Sequence, residues 1–207
     1  DNIPVILING RITLKSYTRW VKFKKFSAYI FSKFDLCMCS NSNSKIYLKK
    51  LGAKKLKYIG NLKYSQSESE KIKINNNIKK FISSKKVWCA SSTHDTEESF
   101  AGLIHKKLKI KYKNLVTIII PRHINRVNDI KRQLNRLNLK THLHEPIKKP
   151  SKNTDIYLVN SYGQTKSFFS MCKYVFLGGS LIKHGGQNPL EAARYGCKIL
   201  HGPNVSN

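Results

Sequence analysis

Short apolar runs alternate along the chain with longer stretches whose apolar residues recur at helical spacing, and this alternation predicts an α/β fold built on parallel sheet. Residues 5–8, 36–39 and 57–59 read as strands, with helices expected over 16–34 and 42–51. These elements make one Rossmann-like half. Between 64 and 86 the pattern loosens into Ser-Gln-Ser-Glu-Ser-Glu and a run of Asn and Lys, a polar linker carrying one weak helix. Alternation then resumes, with strands at 87–90, 116–120, 155–160, 174–177 and 198–200 and helices over 97–113, 125–138, 166–173 and 189–195. The expected organisation is a partial amino-terminal domain over 1–64, a linker over 65–86 and a carboxyl-terminal domain over 87–207, truncated at its end. Asp1-Asn2-Ile3-Pro4 runs straight into a strand and Asn204-Val205-Ser206-Asn207 stops in a loop, so the expectation is a fragment.

Ligands of doubly wound sheets bind beyond the carboxyl ends of the strands, and the candidate motifs fall there. The densest is Gly178-Gly179-Ser180-Leu181-Ile182-Lys183-His184-Gly185-Gly186-Gln187-Asn188-Pro189-Leu190-Glu191. Its glycines allow close backbone approach, Asn188 suits an N-cap and Pro189 a first helical position. The helix start then offers free N–H groups to an anion such as a nucleotide phosphate, and Glu191 is placed to accept from ribose hydroxyls. A plain capped turn with a dipole-compensating Glu explains Asn-Pro-x-Glu but not the surrounding glycines.

Pro121-Arg122-His123 closes the most apolar strand and sets a guanidinium, suited to bidentate phosphate recognition, at its carboxyl end. His123 could do acid–base work, although a lone His more often packs. Tyr162 and Gly163 follow the next strand. Ser91-Ser92-Thr93-His94-Asp95 offers hydroxyl caps to the helix that begins with Glu97 and Glu98. A catalytic His94–Asp95 pair ranks below that capping role, because adjacent side chains seldom face each other. Lys63, in Gly60-Asn61-Leu62-Lys63, is of the type that neutralises a leaving phosphate. Neither G-x-G-x-x-G nor a phosphate loop with Gly-Lys-Ser/Thr is present, which argues against simple dinucleotide binding and nucleoside-triphosphate hydrolysis.

Composition adds three constraints. With 207 residues, 40% hydrophobic and 24% charged, the chain is of globular type. The net charge of +28, from 39 Lys and Arg against 11 Asp and Glu, favours polyanionic partners, though solvated lysine faces account for such an excess equally well. No apolar run approaches the ~20 residues of a bilayer span. Residues 17–34 mix Tyr, Trp and Phe with Arg and Lys as a membrane-surface helix does, while a buried amphipathic helix with a basic outer face is the favoured reading. Cys37, Cys39, Cys89, Cys172 and Cys197 form no C-x-x-C pair and read as reduced, small apolar residues rather than as a disulfide framework or a zinc site.

In order and spacing these motifs resemble Kdo (3-deoxy-D-manno-octulosonic acid) transferases over nearly the whole chain. Asn9-Gly10-Arg11-Ile12-Thr13 is similar to the family's Asn-Ala-Arg-Leu/Met-Ser. Leu51-Gly52-Ala53 and Gly60-Asn61-Leu62-Lys63 are similar to its Leu-Gly-Ala and Gly-Asn-Leu-Lys. Ala90-Ser91-Ser92-Thr93-His94, Pro121-Arg122-His123, Gly178-Gly179-Ser180-Leu181 and Gly185-Gly186-Gln187-Asn188-Pro189-Leu190-Glu191 continue the match. The resemblance implies a GT-B fold of two Rossmann-like domains and transfer of Kdo from CMP-Kdo to a lipid A precursor (lipid IVA), with inversion and without a metal or other cofactor. It implies that Pro121, Arg122, Tyr162, Gly163, Gln164, Asn188, Pro189, Leu190 and Glu191 contact CMP and that Lys63 stabilises the transition state.

The same resemblance places the family's catalytic Glu base upstream of Asp1, so this segment alone is expected to be inactive. Gln164 stands where the family usually has Glu, and Gly10 replaces Ala. The implied partners are CMP-Kdo, the lipid acceptor and an anionic membrane touched peripherally, at the cytoplasmic face of the bacterial inner membrane, with no nucleic acid. Two rival readings are a basic nucleic-acid-binding protein and another GT-B enzyme or epimerase with a uridine nucleotide donor.

Overall fold

The computed structural model describes residues 3–62, 75–145 and 148–205. The chain divides into two compact units, Asp1–Glu70 and Lys71–Asn207.

In the first unit, strands β1 (Ile6–Gly10), β2 (Leu36–Cys39) and β3 (Leu56–Tyr58) form a parallel sheet in the order β1-β2-β3. Helices α1 (Leu14–Val21), α2 (Lys24–Ser32) and α3 (Ser42–Lys50) connect them. Thr13 caps α1 by accepting from the Ser16 N–H, and Asn41 caps α3 by accepting from Ser44 at 2.7 Å. Phe31, Cys37, Cys39, Leu48, Leu51 and Ala53 make the core. Gly52, at φ +109, ends α3 where an added Cβ would stand 2.8 Å from the Ala28 Cα, so a side chain there would force the two helices apart.

The single helix expected over 16–34 is two helices. Phe23, at φ −113 and ψ 52, leaves the helical region and turns the chain without Gly or Pro. The amphipathic reading holds in part: Tyr17 and Trp20 of α1 and Phe31 of α2 pack on this core with the basic residues outside, but α1 fully buries none of its residues and α2 only Ser27 and Phe31. Leu14, Val21, Phe23, Phe26 and Tyr29 are exposed beside Arg19, Lys22, Lys24 and Lys25.

The second unit is a six-stranded parallel sheet in the order β6-β7-β5-β4-β8-β9. Its strands are β4 (Lys86–Thr93), β5 (Leu115–Pro121), β6 (Thr141–Leu143), β7 (Ile156–Leu158), β8 (Tyr174–Leu177) and β9 (Lys198–Leu200). The helices are α4 (Asn76–Ser83), α5 (Glu97–Lys111), α6 (Val127–Arg136), α7 (Thr165–Phe169) and α8 (Leu190–Arg194). Every residue of β5 is buried, and its alternation divides between two cores. Val116, Ile118 and Ile120 join α4, Tyr157, Phe168, Phe169 and Ala192 on one face. Ile119 joins Ala101, Ile130, Leu134, Ile156 and Leu158 on the other.

Helix α4 lies within the expected linker, yet its Ile78, Phe81 and Ile82 belong to the first of those cores. Edge strand β6 was not expected, and the helix read over 125–138 begins with a 3-10 turn, Ile124–Arg126. All five cysteines are buried and unpaired, as ordinary packing residues. At the amino end of the sheet the buried Asp155 is engaged by Lys109 and by the Lys140 N–H at 2.9 Å. Beside it His105 bonds Thr117 at 2.9 Å, and burial, with the neighbouring Lys109 ammonium, lowers its pKa to about 4, so this ring is neutral at physiological pH.

Candidate functional site

The carboxyl edge of the second sheet gathers loops from four neighbouring strands. After the central strand β4 the chain makes a bulge: register against β5 shifts between Ser91 and Thr93, and Ser92 sits at φ +54. Thr96, a β-branched residue at φ +73, is a second strained position in the same loop. The expected hydroxyl capping does not occur. Thr96 holds the N-cap position of α5 without a side-chain bond, and Thr93 Oγ1 instead donates to Glu98 at 3.1 Å.

Glu97 and Glu98 are fully buried. The Glu97 carboxylate accepts N–H bonds from His94 at 2.9 Å, Gly179 at 2.7 Å, Ser180 at 3.2 Å and Leu181 at 3.0 Å. It therefore fixes the β4 loop and the β8 loop to one helix start. Glu98 turns the other way to Arg126, at 3.0 and 3.4 Å, while Arg126 also reaches Asp95 at 2.5 Å. Burial pushes the Glu98 carboxyl above its ordinary range, against the pull of its backbone bond and of Arg126. Asp95 is thus paired with Arg126, and the His94–Asp95 pair is not formed.

The glycine-rich loop owes its path to sterics as well. A Cβ on Gly178 would lie 2.4 Å from the Ser92 carbonyl oxygen, so only glycine lets β8 end against the bulge. Ser180 then ties the loop to the next segment, accepting from the Gly202 N–H at 2.9 Å through its hydroxyl and from the Asn204 N–H at 3.0 Å through its carbonyl.

Pro121 is the buried last residue of β5, and the exposed Arg122 follows, its N–H donating to the Thr93 carbonyl at 2.9 Å. Past β7, Tyr162 is 70% exposed, Gly163 turns the chain at φ +76 in open space, and Gln164 precedes α7. Past β8, Asn188 accepts from the Leu190 N–H at 3.1 Å and Pro189 takes the N-cap position, one residue later than the spacing predicted. Helix α8 has five residues, so its dipole is small; Glu191 lies in its first turn. All nine nucleotide-contact candidates therefore flank the same sheet edge. Lys63 lies outside the described residues. In its own unit, the preceding Leu62 donates its N–H to Asn9 Oδ1 at 3.3 Å, which joins the Asn9 and Gly60 motifs.

Three imidazoles also meet at the second unit's edge, which the sequence left as separate residues. The His94 ring lies 4.3 Å from that of His184 and 5.7 Å from that of His123, centroid to centroid.

The family model for 3-Deoxy-D-manno-octulosonic-acid transferase (kdotransferase) matches residues 1–66. A 3-deoxy-D-manno-octulosonic acid transferase of Haemophilus influenzae is 29% identical over the whole chain, which covers 49% of that relative. The one from Rickettsia felis is 31% identical over 98% of the chain, which covers 44% of it. The chain thus spans about half the length of the curated relatives it matches. Among solved structures, the C-terminal CMP-Kdo binding domain of WaaA from Acinetobacter baumannii aligns with a TM-score of 0.58 and 27% identity, over 63% of this chain and 68% of that one.

The Glu97 clamp is open to a direct check. Glu97→Gln replaces an acceptor-only group by one whose amide hydrogens meet backbone N–H donors, and we expect a loss of about 2–4 kcal/mol. Thermal melting together with faster amide hydrogen exchange at residues 179–181 would register it; an unchanged melt with protected amides would refute the clamp.

Proposed function

The chain belongs to the 3-deoxy-D-manno-octulosonic-acid (Kdo) transferase family, and we propose from that premise that the whole protein transfers Kdo from CMP-Kdo to a lipid A precursor (lipid IVA), with inversion and without metal or other cofactor. The α/β architecture is of the GT-B class, and the second unit takes the donor role. The observation that carries this reading is the placement of Pro121, Arg122, Tyr162, Gly163, Gln164, Asn188, Pro189, Leu190 and Glu191 along one carboxyl edge of a parallel sheet, in a unit similar to a CMP-Kdo binding domain.

In this reading Arg122 holds the phosphate of CMP through charge-assisted bonds and Glu191 accepts from the ribose hydroxyls. Tyr162 offers an exposed aromatic face, and Gly163 admits the ligand close to the backbone. Lys63 meets the charge that develops on the departing phosphate. Neither the nucleic-acid reading nor the uridine-donor reading is favoured.

We further infer that the first unit touches an anionic membrane at the cytoplasmic face of the bacterial inner membrane. The exposed Phe23, Phe26 and Tyr29, flanked by Arg19, Lys22, Lys24 and Lys25, support it, being the residue mixture that enters a headgroup layer. No described helix is long and apolar enough to cross a bilayer.

Calorimetry should find CMP bound in preference to UMP, with Arg122→Ala and Glu191→Ala each weakening CMP by at least about tenfold. Equal binding of both nucleotides, or indifference to both substitutions, would remove the donor-site assignment. In the whole protein, Lys63→Ala should lower kcat more than donor affinity, because its interaction grows toward the transition state; a change confined to KM would assign Lys63 to ground-state binding. Cosedimentation with phosphatidylglycerol vesicles should fall when Phe23 and Phe26 are both changed to Ser. Retention equal to that of the unaltered protein would place the membrane contact elsewhere.

A further inference from the structure

His94, His123 and His184 come from three separate loops, after β4, β5 and β8, and meet beside Arg122. His94 is the buried member, 8% exposed, and its Nε2 is enclosed without a hydrogen-bond partner. His184 and His123 are exposed. The loop backbone passes against two of these rings: a Cβ added to Gly179 would sit 3.4 Å from both His184 Nδ1 and His94 Cδ2. Simple core packing does not call for an enclosed ring nitrogen without a partner, which carries a desolvation cost.

The charges facing His94 come from every side of its setting. Glu97, on its own turn, favours the imidazolium. His184 beyond β8, and His123 and Arg122 beyond β5, oppose it. Burial is the largest influence, followed by His184, and together these lower the pKa of His94. Glu97 cannot shift toward the imidazoles to neutralise them, because its carboxylate holds four backbone N–H groups. The edge is thus a set of imidazoles and a guanidinium that an arriving anion would satisfy.

We propose that His94, His123 and His184, with Arg122, form a proton-linked anion cradle that takes up protons when the phosphodiester of the donor binds. The proposal rests on the donor reading above and adds a coupling between binding and pH. The sign follows from linkage. An anion favours imidazolium, so the bound state holds more protons and affinity rises as pH falls from 8 toward 6.

Cytidine 5′-phosphate methyl ester is a suitable probe, since a phosphodiester does not itself titrate in this range. Calorimetry of the 207-residue chain at pH 6.5 and pH 8, each in two buffers of different ionisation enthalpy, counts the protons. We expect net proton uptake at pH 6.5 and binding about fivefold tighter than at pH 8. His184→Gln, at an exposed position, and His94→Gln should each reduce the uptake and flatten the dependence of affinity on pH. Binding without proton uptake, or uptake unchanged in both variants, would overturn the cradle and leave the donor reading standing. If the unaltered chain ignores the ester, the donor reading fails and the cradle with it.

Discussion

One buried carboxylate organises the second unit. Removing a charge from water costs several kcal/mol unless hydrogen bonds replace the lost hydration, and at Glu97 four backbone N–H groups do so. Three of these donors lie more than eighty residues along the chain, at 179–181, so satisfying one side chain closes a long loop. Glu98, the next residue, points about 100° around the helix to Arg126 and Thr93. Consecutive acidic residues at one helix start thereby hold the ends of β4, β5 and β8, which are adjacent in the sheet. The strained Ser92 and Thr96 and the obligatory Gly178 all lie within this clamp, which is the surrounding structure that such backbone strain needs.

Much of this architecture is legible in the sequence because parallel strands buried on both faces must be apolar throughout. β5 shows this most clearly; β2, β8 and the partly exposed β9 were also located to the residue. β6 escaped because Thr141-His142-Leu143 is short and half-buried at a sheet edge, with no apolar run to mark it. The turn at Phe23 escaped because nothing in its side chain demands a break; packing of α2 through Phe31 decides it. The candidate site was legible as a set of loops, since the rule that ligands gather at carboxyl ends of strands needs only strand order and turn residues. The function of Glu97 was not. A Glu in a helix's first turn looks the same in sequence whether it faces solvent as a dipole partner or is sealed beneath a loop 82 positions away.

Charge shows the same division between composition and placement. The excess of basic over acidic residues is a property of the whole chain, and most lysines on α4 and α5 are exposed on outer faces, where they are hydrated and say little. The few carboxylates are more informative. Glu97, Glu98 and Asp155 are buried and already engaged by N–H groups, an arginine or a lysine, so they serve internal architecture rather than neutralise the surface.

The electrostatics of the candidate site follow from that use of acids. If Glu97 faced outward it would set a negative charge beside Arg122 and the imidazoles and oppose the anion binding proposed for this edge. Because its carboxylate is held by four N–H groups, the same residue that fixes the loops leaves Arg122 and the three imidazoles to face the proposed anion. Loop placement and anion affinity are then one design: a substitution at Glu97 that restored the fold by another route would still change the field at Arg122 and His94.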